Sequence, residues 1–174
     1  MYPDEYIQFL AHFHGDRDYF ECHEVLEEYW KKTAPRKKDS IWVGLILMAV
    51  STYHHRLNNF NGAKRTLEKA ITIFENQNET LKQLGLDPQP LLQILSERLA
   101  LITSEQTYKS FQLPISDPLL LEQCIAICNQ LNIRWGQDSD FANVTIIQRH
   151  KLRDRTDVIQ ERIQSLNIRR RSNE

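Results

Sequence analysis

The chain has 174 residues, of which 41% are hydrophobic and 26% charged, and its formal net charge is -1. That size gives one main domain with room for an appendage, and the hydrophobic share argues against extensive disorder. The near-neutral balance excludes a strong overall pull toward nucleic acid or an anionic membrane surface.

Five glycines and six prolines fall mostly between periodic apolar runs, which favours an all-α protein. The first helix is expected from Pro3, with Asp4 and Glu5 at its positive end, an inward stripe of Tyr6, Phe9, Leu10 and Phe13, and a stop at Gly15-Asp16. The second begins with Asp18-x-x-Glu21, which reads as a capping box, and ends before Pro35. Asp39 or Ser40 caps a third, central helix to about Leu57, apolar on nearly every side, in which Gly44 permits a close crossing. After the turn cluster Asn58 to Gly62, the next helix places Ala63, Leu67, Ala70, Ile71 and Phe74 on one face. Leu81 and Leu84 extend it or form a further turn before Gly85, and Asp87-Pro88 opens a helix with Leu91, Leu92, Leu95, Leu99 and Ile102 inward.

Periodicity weakens from Thr103 to Ser116, restarts at Asp117-Pro118 and runs to about Leu131. The expected division is therefore a compact antiparallel helical bundle over 1–103 and a C-terminal helical extension over 104–174, packed on the core or projecting from it. Asn132 to Asn143 reads as a loop, and Val144 to Arg171 as one long amphipathic helix suited to packing or to a homo-oligomer contact. Arg and Lys outnumber acids from Lys151 onward, so this helix offers a minor route to RNA or DNA, although the interspersed acids favour a solvated face. The N-terminus has no signal-peptide pattern and no apolar run reaches membrane-spanning length, so a cytoplasmic location without membrane partners is expected. Cys22, Cys124 and Cys128 form neither a disulfide framework nor a CxxC motif and read as small buried hydrophobes.

The chemistry concentrates in the second helix. At about 100° per residue, Tyr19, Phe20, His23, Leu26, Glu27 and Trp30 share one side, with Glu21, Glu24, Glu28 and Lys32 on the other. A carboxylate carried into an apolar layer requires a proton, a cation or a metal beside it. His23 and Glu27, four residues apart, can share one ion, and His54 on the third helix supplies a third group if those helices pack together. An imidazole–carboxylate–imidazole set with open positions suits zinc, iron or manganese, with Glu24 a spectator, Trp30 limiting solvent access and Tyr53 in the pocket wall. The competing arrangement is a structural lock, in which Glu27 accepts a hydrogen bond from His23 or His54 and ties two helices together inside a non-catalytic interaction module. His12 and His14 are placed at the end of the first helix, where an imidazolium complements the dipole. His23-Glu24-Val-Leu-Glu27 begins like the HExxH helix of zinc peptidases but has Glu in place of the second His, so peptidase activity is not expected.

The pattern His23-x-x-x-Glu27-x-x-Trp30 resembles the HxxxExx(W/Y) signature of the family called domain of unknown function 309. Tyr19-Phe20, Gly44-Leu45-Ile46, Tyr53-His54, Asn59 and Gly62-Ala63 extend the likeness over about residues 6 to 77. The resemblance implies a small helical fold and a metal-binding role for the His and Glu of the signature, with no assigned reaction. This chain departs from the pattern at Leu47, where relatives often place Gln.

Overall fold

The computed structural model describes residues 1–149 together with 160, 163 and 164. The described residues fold as α1 (Asp4–His14), α2 (Tyr19–Thr33), α3 (Ile41–Arg56), α4 (Phe60–Glu75), the short α5 (Asn78–Gln83), α6 (Pro88–Thr103), α7 (Pro118–Gln130) and a single turn, α8 (Val144–Ile147). The protein is all-α: among the described residues the only β pairing is one isolated antiparallel bridge between Leu86 and Ile115. No helix among them is long and apolar enough to cross a membrane.

Local chemistry sets the helix starts. The side chains of Asp18, Ser40, Asn59, Asp87, Asp117 and Asn143 each accept a hydrogen bond from a backbone N–H in the first turn of α2, α3, α4, α6, α7 and α8, supplying partners to donors that have none within the helix. Pro88 and Pro118 occupy the first helical position, where a missing N–H does no harm.

Packing follows chain order: α1 lies on α2, α2 on α3 and α3 on α4, α4 then meets α6, and α7 returns to α1. The α3–α4 contact is close because Gly44 faces a ring, and a Cβ built there would lie 2.8 Å from Cε1 of the fully buried Phe74. The return of α7 depends on the 84–87 and 113–116 segments. Asp87 N–H donates to the Pro114 carbonyl and Ser116 N–H to that of Gly85, which adopts φ +73° and where a Cβ would lie 2.8 Å from the Tyr2 hydroxyl, so the position suits only glycine. Tyr2 also donates to Asp117, the residue that caps α7. Tyr108, Leu113, Leu120 and Cys124 consequently join the same hydrophobic cluster as α1 to α6. The helix expected from Val144 to Arg171 begins as placed; α8 runs to Ile147 with Gln148 as its C-cap, and the described residues beyond it, Arg149, Gln160, Ile163 and Gln164, are also helical. Nearly all the remainder, including Arg169-Arg170-Arg171, lies outside the described residues.

Filling the α3–α4 crossing tests this packing: Gly44→Val should lower unfolding stability by about 1–3 kcal/mol, the usual range for overpacking, read as a fall in the urea midpoint without a change in slope.

Candidate functional site

Asp18 fixes where α2 begins, and the burial pattern then fixes its rotation. Tyr19, Cys22 and Leu26 are fully buried, whereas Phe20, His23, Glu27 and Trp30 are half-buried. The core-facing line is thus turned about one residue from the sequence expectation, since Cys22 is a small hydrophobe that the α1–α2 interface can enclose. Its thiol donates to the Phe9 carbonyl at 3.4 Å. His23 and Glu27 stand at the margin of the core, their side chains 26% and 33% exposed.

At this margin His23 meets two carboxylates. Nδ1 is 3.1 Å from Oε1 of Glu24 and Nε2 is 3.5 Å from Oε2 of Glu27, while Lys31 approaches the other oxygen of Glu27 at 3.2 Å. Glu24 therefore belongs to the cluster and is not the spectator that the helical wheel placed on the opposite face; neighbouring long side chains converge where the backbone wheel separates them by 100°. One ligand atom from each of His23, Glu24 and Glu27 lies within 4.8 Å of the others, a set able to hold a metal ion.

His54 is not a member of that set. The Phe20 ring centroid is 5.9 Å from that of His23 and 6.3 Å from that of Tyr53, which in turn is 6.3 Å from that of His54. His54 Nδ1 is within 3.1 Å of the Asn59 amide at the cap of α4. Tyr53 is 5% exposed and lies in the core cluster. Trp30 donates its indole N–H to the Lys37 carbonyl, so it pins the turn between α2 and α3.

A second polar assembly lies on the buried side of α2, and the sequence reading did not find it. Arg17, Arg56 and Arg98 are 1%, 5% and 7% exposed. Arg17 donates to the carbonyls of Phe111 and Gln137, and Arg56 donates through Nη1 to the Arg17 carbonyl. The Arg56 guanidinium lies 4.7 Å from the centroid of Tyr19, and that of Arg98 lies 4.5 Å from Phe111. Asp18 is 1% exposed and binds Arg149. The one legible hint was Arg98, which falls seven residues after Leu91 and three after Leu95, on the inward stripe of α6.

The histidines also divide by burial. His14 is fully enclosed: Nδ1–H donates to the Leu10 carbonyl, Nε2 accepts from Leu113 N–H, and the ring stacks on Trp135 at 4.4 Å. Both nitrogens are used in the neutral tautomer, and burial lowers the pKa from 6.5 to about 4. The imidazolium expected at this helix end is therefore replaced by a neutral strut that joins α1 to the segment after α6. For His12, burial opposes the charged form, but the hydrogen bond and charge of Asp16 outweigh it and raise the pKa, so only His12 keeps the dipole role. His55 donates through Nε2–H to the Gln106 carbonyl and its Nδ1 accepts from Arg98 at 3.4 Å, and burial lowers its pKa.

Fold and margin together define a small helical protein carrying an acid–imidazole cluster on the helix that follows its first corner. Residues 6–66 match the model of domain of unknown function DUF309. The chain is also 45% identical over 172 residues, 99% of each sequence, to the uncharacterised protein YpuF of Bacillus subtilis (strain 168). The chain belongs to the DUF309 family. No solved structure matches it.

Two measurements check the buried groups. The unfolded chain takes up the His14 proton below about pH 6.5, the folded chain only near 4, so the native state binds fewer protons between those values. Stability should be intact above pH 6.5 and fall as the pH drops toward 4, by about 3 kcal/mol at 1.36 kcal/mol per unit. His55, whose pKa burial also lowers, adds to this slope, whereas the raised His12 acts only above pH 6.5, where its contribution is lost as the pH rises; His14→Gln should flatten the slope below pH 6.5 in urea unfolding curves taken at successive pH values. Cys22, Cys124 and Cys128 are unpaired and buried, and burial pushes the last two up to about 12 and about 11. A thiol reagent should leave all three unmodified in the native protein at pH 8 and modify all three in urea.

Proposed function

We propose that the protein binds a divalent cation at the α2 margin through His23, Glu24 and Glu27, leaving further positions open to water or to a small ligand. The observation that carries this reading is the convergence of three ligand atoms within 4.8 Å beside a half-buried wall. Two carboxylates and an imidazole suit zinc, manganese or iron(II), and a three-residue set with open positions is the form that activates water or polarises an oxygen. Ligand atoms around one such ion lie about 3.3 Å apart, so modest rotations of the two glutamates suffice. One His23 nitrogen would bind the ion and Lys31 would release Glu27. Glu24 takes the place that the sequence reading gave to His54, and Phe20 and Trp30 flank the site on α2.

A structural reading of the same residues is favoured by a specific feature: both ring nitrogens of His23 face carboxylates. A neutral imidazole has one N–H, so it satisfies one of these contacts at a time. The cluster then acts as an ion-pair network along α2 within a non-catalytic module. A reducing, cytoplasmic setting suits either reading, since the three thiols are unpaired.

Titration calorimetry on chelator-treated, untagged protein separates the two readings. One zinc or manganese ion per chain, with affinity reduced at least tenfold in both His23→Ala and Glu27→Gln, is the expected result. Absence of binding, together with coupled destabilisation in the double-mutant cycle of these positions, would establish the network instead.

A further inference from the structure

The hydroxyl groups around Tyr108 carry one proton more than they use among themselves. The Tyr108 oxygen contacts the Tyr19 hydroxyl and lies 3.1 Å from Ser110 Oγ and 3.0 Å from Ser139 Oγ. Each of these three contacts takes one proton, whereas the four hydroxyls supply one each. Their other partners are donors too: Arg56 Nη1–H donates to Ser139 Oγ and Ser139 N–H to Ser110 Oγ, both at 3.2 Å. No acceptor for the fourth proton stands among the described residues.

Burial decides which hydroxyl keeps it. Tyr19 is fully buried, and burial holds its hydroxyl well above its ordinary pKa, so it stays protonated and donates to Tyr108, the acceptor it has. Tyr108 then donates to one serine and accepts from the other. The serine that accepts from Tyr108 is left with an O–H that nothing in the chain takes up.

Both serines line a cavity of about 350 Å³ together with Tyr108, Lys109, Asp138 and Phe141, a size toward the lower end for small-molecule sites. Lys109, Asp138 and Phe141 are exposed, so the mouth of the cavity lies at the surface. Phe141 is 59% exposed, with its ring 6.2 Å from that of Tyr108. Neither Lys109 nor Asp138 enters an ion pair among the described residues. Behind the wall, outside the cavity lining, the guanidinium groups of Arg56 and Arg98 lie 6.0 and 5.6 Å from the Tyr108 ring centroid. Their field favours the negative end of a ligand against the serines. Asp138 opposes a second negative charge and favours a positive one, and the two rings offer an apolar wall.

We infer that this cavity binds a free amino acid with an apolar side chain. Its carboxylate accepts from the serine O–H and from Lys109, its ammonium meets Asp138, and its side chain lies against Tyr108 and Phe141. The site uses none of His23, Glu24 and Glu27 and requires no metal.

The test is a titration of metal-free protein with L-phenylalanine and L-leucine, beside phenylpropionate, which lacks the ammonium, and phenylalanine amide, which lacks the carboxylate. It is followed by the Phe141 ring and the Ser110 and Ser139 amide resonances of isotopically labelled protein, and by the thermal midpoint. Saturable shifts and a raised midpoint are expected with phenylalanine or leucine, and binding at least tenfold weaker with both analogues. Lys109→Ala should weaken the amino acid at least tenfold, and Asp138→Asn should remove its advantage over phenylpropionate. Both side chains are exposed, so each variant keeps the fold. No saturable shift with either amino acid, equal binding of either analogue, or binding unaltered in either variant would overturn the assignment.

Discussion

Arg17 turns the chain between α1 and α2 in a left-handed conformation, φ +58°, while fully buried. That geometry disfavours a residue with a Cβ by about 1–2 kcal/mol, and it persists because four parts of the protein meet on this one residue. The guanidinium binds the carbonyls of Phe111 and Gln137, and the carbonyl of Arg17 itself receives Nη1 of Arg56 from the end of α3. The next residue, Asp18, caps α2 and binds Arg149. The start of α2, the end of α3, the segment after α6 and the turn before α8 are thus positioned by a single corner.

The two chemical faces of α2 follow from that corner. Once Asp18 sets the first turn, Tyr19 and Cys22 must enter the α1–α2 interface, and His23 is carried 100° away to the rim. The rim keeps Glu24 and Glu27 partly hydrated, so two carboxylates can approach one imidazole without the penalty of full burial. On the inner face the same helix offers Tyr19 as the ring on which Arg56 rests. Aromatic surface partly offsets lost hydration for a broad, weakly hydrated guanidinium, which explains why arginines and not lysines occupy this layer.

Much of the bundle was legible because short-range rules act on it. Caps at Asp18, Ser40, Asn59, Asp87 and Asp117 and the prolines after the last two mark helix starts with little help from distant residues, and inward stripes such as Tyr6-Phe9-Leu10-Phe13 repeat at helical spacing. Gly44 was readable as a close crossing because a central, uniformly apolar helix has no other use for it. The same rules located the candidate cluster on α2 through His23, Glu27 and Trp30. They could not place Glu24 in it, because side-chain reach is not contained in a backbone wheel.

By itself the sequence determined where most helices of the bundle begin, roughly which faces are apolar, and which helix carries an acid beside an imidazole, since each depends on residues within a few positions of one another. Only the tertiary structure decided that His14 is a neutral strut, that α7 closes back on α1, and that three arginines share a buried layer. Those outcomes join Leu113 to His14 across 99 residues and Phe111 to Arg17 across 94. Such partners are chosen by the packing of whole helices, and a charged residue reads as solvent-facing until the fold encloses it.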